Sequence, residues 1–118
     1  MIQNYEDLAV YQKSYGLALK VYELSKKMPK EEMYGIISQF RRAAVSIPLN
    51  IAEGYGKRES VAEFHRFLMM AKGSCDEIKV LTDFCRDLQY ISQEVYEELK
   101  PAYDEVGKML YGLICKWK

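Results

Sequence analysis

A single histidine, His65, is all the imidazole this 118-residue chain offers. Serine or cysteine nucleophiles lean on a histidine base, and Ser38, Ser46 and Ser74 have none to spare. A dimetal site inside a helical bundle needs Glu-x-x-His pairs on two helices, and the residue three before His65 is Ala62. His65 therefore reads as a half-exposed helix residue. Cysteine is scarce too: Cys75, Cys85 and Cys115 have no metal or redox spacing. On one helix Cys75 and Cys85 would stand roughly 15 Å apart, too far for a disulfide. All three are expected as reduced, apolar-packed thiols. Net charge is also missing, since 17 Lys and Arg balance 17 Asp and Glu. That argues against gripping phosphate by bulk charge. No apolar run reaches the ~18 residues of a membrane span. The start Met1-Ile2-Gln3-Asn4-Tyr5-Glu6-Asp7 shows no secretory pattern, so a cytoplasmic protein is expected.

What the chain does contain is helical periodicity. A first helix is expected over about 7–27, with Leu8, Tyr11, Tyr15, Ala18 and Tyr22 on one seam and Val10, Leu17, Val21 and Leu24 beside it. Met28-Pro29-Lys30 stops it. Glu31 and Glu32 suit the positive end of a second helix, whose seam is Met33, Ile37, Phe40, Ala44, Ile47 and Ile51. Pro48 falls inside and predicts a kink, and Gly54 reads as the C-cap. Ser60-Val61-Ala62-Glu63 is a capping box opening a third helix to about Asp87. One seam of that helix is Val61, Phe64, Leu68, Ala71, Cys75, Ile78, Thr82 and Cys85. A second one, with Phe67, Met70, Leu81 and Phe84, asks for a second partner. Ser92 caps a fourth helix carrying Leu99, Tyr103, Val106, Leu110, Leu113 and Trp117. Pro101 either bends this helix or divides it. The expected fold is all-α: one domain over 1–118, an up-and-down antiparallel four-helix bundle with a kinked second helix.

Three constellations carry what function the pattern offers. Arg41, Arg42, Lys57, Arg58, Arg66 and Lys72 are candidate contacts to a nucleic acid or another partner, grouped near the corner between the second and third helices. Arg42, Ser46, Asn50 and Glu53 share a face beside Pro48 and suggest a structural polar network, with Arg42 and Glu53 paired across helices. Glu53, Glu63 and Glu77 read as structural carboxylates, Glu63 capping and the others pairing with arginines. Gly54-Tyr55-Gly56-Lys57-Arg58 lacks the strand and the Gly-Lys-Ser/Thr ending of a phosphate loop, so it reads as a helix–helix corner. No catalytic set, cofactor motif or metal ligand set emerges.

The strings Met28-Pro29-Lys30-Glu31-Glu32, Ser38-Gln39, Arg41-Arg42-Ala43-Ala44-Val45-Ser46-Ile47-Pro48, Asn50-Ile51-Ala52-Glu53-Gly54, Glu63-Phe64, Arg66-Phe67-Leu68 and Gly73-Ser74 resemble the 23S rRNA intervening-sequence proteins, also described as S23 or four-helix bundle proteins. The resemblance spans nearly the whole chain. It departs at Pro101 and at Val61-Ala62, where a more basic sequence is familiar. The resemblance implies a non-enzymatic, cytoplasmic bacterial bundle, a homopentamer serving as an interaction or scaffold module. The alternative it implies is an RNA- or DNA-binding accessory, as in retroelement accessory bundles.

Overall fold

Polar caps set where the chain becomes helical. In the computed structural model, which describes residues 1–118, the Asn4 side chain accepts the Glu6 amide while Asp7 accepts the Asn4 amide. This closes a 3-10 turn over Tyr5–Asp7. Leu8 then turns extended and buries its side chain, so α1 spans Ala9–Ser25 and starts two residues later than its periodicity suggests. The inward stripe of α1 is Val10, Ser14, Ala18, Val21 and Ser25, whereas Tyr15 and Tyr22 face solvent. Both serines satisfy their hydroxyls within the helix by donating to the Tyr11 and Tyr22 carbonyls, which lets them sit in a core.

Glu31 and Glu32 do not open the second helix. They lie in a 3-10 turn, Lys30–Glu32, and the Tyr90 hydroxyl donates to the Glu32 carboxylate at 2.7 Å. A tertiary contact thus claims the acid that local electrostatics would give to a helix start. α2 begins after Gly35 and covers Ile36–Gly56. Its seam holds, with Ile37, Phe40, Ala44, Ile47 and Ile51 buried; Met33 lies before the helix and is exposed. Pro48 stays inside the helix and is buried. Gly54 is not the C-cap: the helix runs on to Gly56, and Lys57 caps it. A Cβ on Gly54 would lie 2.7 Å from the Phe67 Cβ and 3.1 Å from the Phe64 ring, so this glycine permits close approach of two helices.

α3 covers Val61–Asp87, and Ser60 accepts the Glu63 amide as expected. The other half of the capping box is absent, because the Glu63 carboxylate binds Arg66 instead. After α3, Gln89 takes a positive φ of 65°, and the Tyr90 and Ile91 amides return to the Cys85 carbonyl. α4 covers Gln93–Lys116 with Ser92 as its cap. Pro101 lies within this one helix and does not divide it.

The chain is thus an all-helical bundle of four helices without strands. α3, at 27 residues, is about 40 Å long, close to the 44 Å long axis of the molecule. Each helix packs on its neighbour in sequence, and α1 also meets α4. The shared core draws on Val21, Phe40, Ile47, Phe64, Leu68, Ile78, Tyr103 and Leu110, each essentially without solvent exposure. No helix is long and apolar enough to cross a membrane.

Candidate functional site

His65 is half-buried on α3, and a ring nitrogen is hydrogen-bonded to the Trp117 carbonyl. The Trp117 ring packs edge-on against Phe64 at 4.9 Å and near Tyr55. The histidine therefore anchors the end of α4 to the α2–α3 corner. Burial pushes the thiols of Cys75 and Cys85 up to about 11, so both remain protonated and inert. Cys115 departs from the expected pattern: it is exposed at the end of α4, on the side of the helix turned away from the core. No cluster of three His, Cys, Asp or Glu side chains could hold a metal ion.

The basic residues do not gather into one patch. Lys57, Arg58 and Arg66 meet at the corner, where Lys57 and Arg66 stand over the Phe67 ring and Arg58 over Tyr55. Arg66 is bound by Glu63, which holds that carboxyl below its usual range. Arg41 and Arg42 lie 15–16 residues up α2 from Lys57, about 24 Å away along the helix. Lys72 lines the α3–α4 side with Asp76, Lys79 and Asp104. Residues adjacent in the sequence pattern are thus spread over three places by the pitch of the helices.

The polar network is half present. Asn50 donates to the Ser46 carbonyl at 2.8 Å, and the Ser46 hydroxyl meets that of Ser74 on α3. The carbonyl that loses its partner to Pro48 is that of Ala44, which Asn50 does not reach. Arg42 and Glu53 are both exposed and do not pair, and neither Glu53 nor Glu77 forms an ion pair with an arginine. Long polar side chains facing water have little to gain from such a pair.

The second seam of α3 is divided in the same way. Phe67 and Leu81 are 6% exposed and belong to the bundle's own packing, while Met70 and Phe84 are 42% and 54% exposed. Met69 and Val80 are also open on this helix and Leu88 at its C-cap, so its outer side carries two apolar clusters, Met69 with Met70 and Val80 with Phe84 and Leu88, with exposed Gly73 and Glu77 between them.

A groove of about 330 Å³ between α1 and α2 was not anticipated. Tyr5, Tyr11, Tyr15 and Tyr22 wall it, and Pro48 and Leu49 form part of the opposite side. Tyr11 packs on Tyr5 at 5.0 Å and on Tyr15 at 5.9 Å. Burial, and then the neighbouring Tyr5, Tyr15 and Glu6, raise the Tyr11 hydroxyl above its ordinary value. The signal was the run of tyrosines at steps of four and seven, read as core because their rings are apolar.

The family model described as 23S rRNA-intervening sequence protein matches residues 6–112. A crystal structure of a protein of unknown function from the S23 ribosomal protein family of Bacteroides thetaiotaomicron VPI-5482 is similar with a TM-score of 0.82 and 27% identity, over 91% of this chain and 96% of that one. No curated protein matches.

Proposed function

We propose, from the premise that the chain belongs to the 23S rRNA-intervening sequence protein family, that it is a non-enzymatic, self-associating interaction module. The monomer is read as an up-and-down antiparallel bundle with α2 bent at Pro48. Cross-helix pairs support this arrangement: Lys13 with Glu105 and Lys20 with Glu98 join α1 to α4, and Lys79 with Asp104 and Lys100 with Asp83 join α3 to α4, in each case with rising numbers on one helix and falling numbers on the other. A missing amide at Pro48 favours the bend.

The observation that carries self-association is the outer side of α3, where Met69, Met70, Val80, Phe84 and Leu88 are each at least 42% exposed. Clustered exposed apolar side chains of this kind mark interaction surfaces. A homopentamer in a bacterial cytoplasm is the state the family resemblance favours. Light scattering coupled to size exclusion tests it: the expected mass is several times 13.8 kDa, and Met70→Glu should lower it. A clean monomer refutes self-association, and a dimer refutes only the pentamer.

A second reading, nucleic-acid contact at the α2–α3 corner, is supported by Lys57 and Arg58, which are exposed and have no carboxylate partner. Lys57→Glu with Arg58→Glu should then abolish a salt-sensitive RNA affinity while the assembly persists. Binding that ignores both salt and these changes overturns it.

A further inference from the structure

Away from both surfaces, at the opposite end of α2 from the corner, Arg41 and Arg42 open onto a cleft of about 320 Å³ beside Tyr22, Met33, Tyr34 and Ser38. Of the other arginines, Arg66 is bonded to Glu63 and Arg86 to Asp87, whereas Arg58 donates to the Tyr55 carbonyl and has no acidic partner. Arg41 has only neutral partners. Its Nε donates to the buried Ser25 hydroxyl at 2.7 Å, and its guanidinium lies 4.8 Å from the centre of the Tyr22 ring. Those contacts fix its direction and leave both terminal nitrogens unbonded. Arg42 is exposed and has no bonded partner. Glu32, in the preceding turn, accepts from Tyr90 through one carboxylate oxygen, and its other oxygen lies 2.8 Å from where a Cβ on Gly35 would stand.

The start of α2 adds a second, independent positive feature. α3 and α4 each open with a serine cap and an acidic first turn, whereas α1 has neither. α2 opens on Gly35 with no side-chain cap and no acidic residue in its first turn. The amides of Ile37 and Ser38 find no acceptor in the chain. Unbonded amides at a helix start favour an anion, and the Glu32 carboxylate beside Gly35 accepts from Tyr90 instead of from them. Here the helix start adjoins two arginines whose planar forks suit phosphate. Beside these donors stands Tyr34, 98% exposed, with Met33 at 42%. A simple anion or an acidic peptide would use the arginines and leave the ring unmatched. A flat aromatic body joined to the anion would use both, since a base stacks on tyrosine and phosphate accepts from arginine.

We propose that this cleft binds a nucleotide, its phosphate held by Arg41, Arg42, Ser38 and the bare first turn of α2, and its base against Tyr34 and Tyr22. The same unit could arrive free or as part of a single strand. Calorimetric titration with adenosine monophosphate, adenosine, inorganic phosphate, a glutamate-rich peptide and a short single-stranded oligonucleotide tests it. The monophosphate should bind at least about tenfold more tightly than adenosine or inorganic phosphate. Arg42→Gln should weaken it by about tenfold or more. Tyr34→Ala should weaken the monophosphate while leaving inorganic phosphate unchanged. Both side chains are exposed, so the melting temperature and the assembly mass should stay as in the parent protein. An oligonucleotide more than about tenfold tighter than the monophosphate assigns the site to single strands, and equal affinities assign it to the free nucleotide. Equal affinity for the monophosphate and inorganic phosphate, preference for the peptide, indifference to both substitutions, or no saturable binding overturns the proposal.

Discussion

α2 has two flanks, and they are finished differently. Toward α3 it presents Ala44, Ile51 and Gly54, and α3 answers with Phe64, Phe67, Leu68 and Ala71, all buried. Small residues let the two backbones close, and the aromatic rings fill what is left. Toward α1 it presents Val45, Pro48, Leu49 and Ala52, and α1 answers with tyrosines whose rings stack on one another and leave a groove. Two flanks of one helix thus give a sealed seam and an open one. The difference lies in the phenol hydroxyls on the α1 side, which keep those rings near water, since both flanks are apolar.

If the sealed flank carries the stability, deleting its largest filler should cost most. Phe64→Ala removes a ring with no solvent exposure and should cost about 3–5 kcal/mol, read as a shift in the denaturant midpoint. A loss near that of a surface change would mean that the seam is not close-packed. Gly54→Ala comes next. Helix propensity alone predicts a gain of about 1 kcal/mol, yet the 2.7 Å approach to the Phe67 Cβ predicts a net loss of about 1–3 kcal/mol. The sign of this change separates a close-approach glycine from a terminating one.

Those two positions also mark how much could be read in advance. Ile37, Phe40, Ala44, Ile47 and Ile51, and the α3 row from Phe64 to Cys85, kept their faces because the apolar step of three and four is a property of the helix itself. Gly54 was misread because a glycine near a helix end looks like a cap until the facing Cβ is in place. The 3-10 turn at Lys30–Glu32 was missed for a similar reason, since its partner Tyr90 lies 58 residues on. Phe67 and Leu81 were assigned outward, yet α3 packs on two neighbours and covers both. The ten tyrosines carried a further ambiguity. A phenol ring counts as apolar in a periodic pattern, yet its hydroxyl keeps it near water. Of the candidate contacts, their type was legible, while their separation into three places was not.

A smaller effect is expected from Tyr103, whose hydroxyl lies buried without a hydrogen-bond partner. Burial raises its pKa beyond the ordinary tyrosine range. An unpaired buried polar group costs about 1–3 kcal/mol, so Tyr103→Phe should leave stability unchanged or raise it within that range. A marked loss would mean that the hydroxyl is satisfied in solution.

The smallest effect is set by charge at the α3–α4 rim. Asp83 accepts from Lys100 at 2.6 Å and from Tyr96 at 2.8 Å, and the Lys100 bond is the main cause holding its carboxyl below the usual range. A depressed carboxyl contributes stability that is present above its unfolded value and is lost as pH falls through the folded one. Asp83→Asn should therefore lower the melting temperature slightly at neutral pH, and the difference should vanish in acid. A constant difference across pH would assign the effect to packing.

The outer side of α3 and the tyrosine groove are both exposed and apolar, and self-association is assigned to the outer side of α3. Sedimentation of Phe84→Glu beside Leu49→Glu compares them directly, since both parent side chains are 54% exposed. The account predicts that Phe84→Glu falls toward the 13.8 kDa monomer while Leu49→Glu keeps the parent assembly. A monomeric parent protein, or an assembly lost with Leu49→Glu and kept with Phe84→Glu, would contradict it.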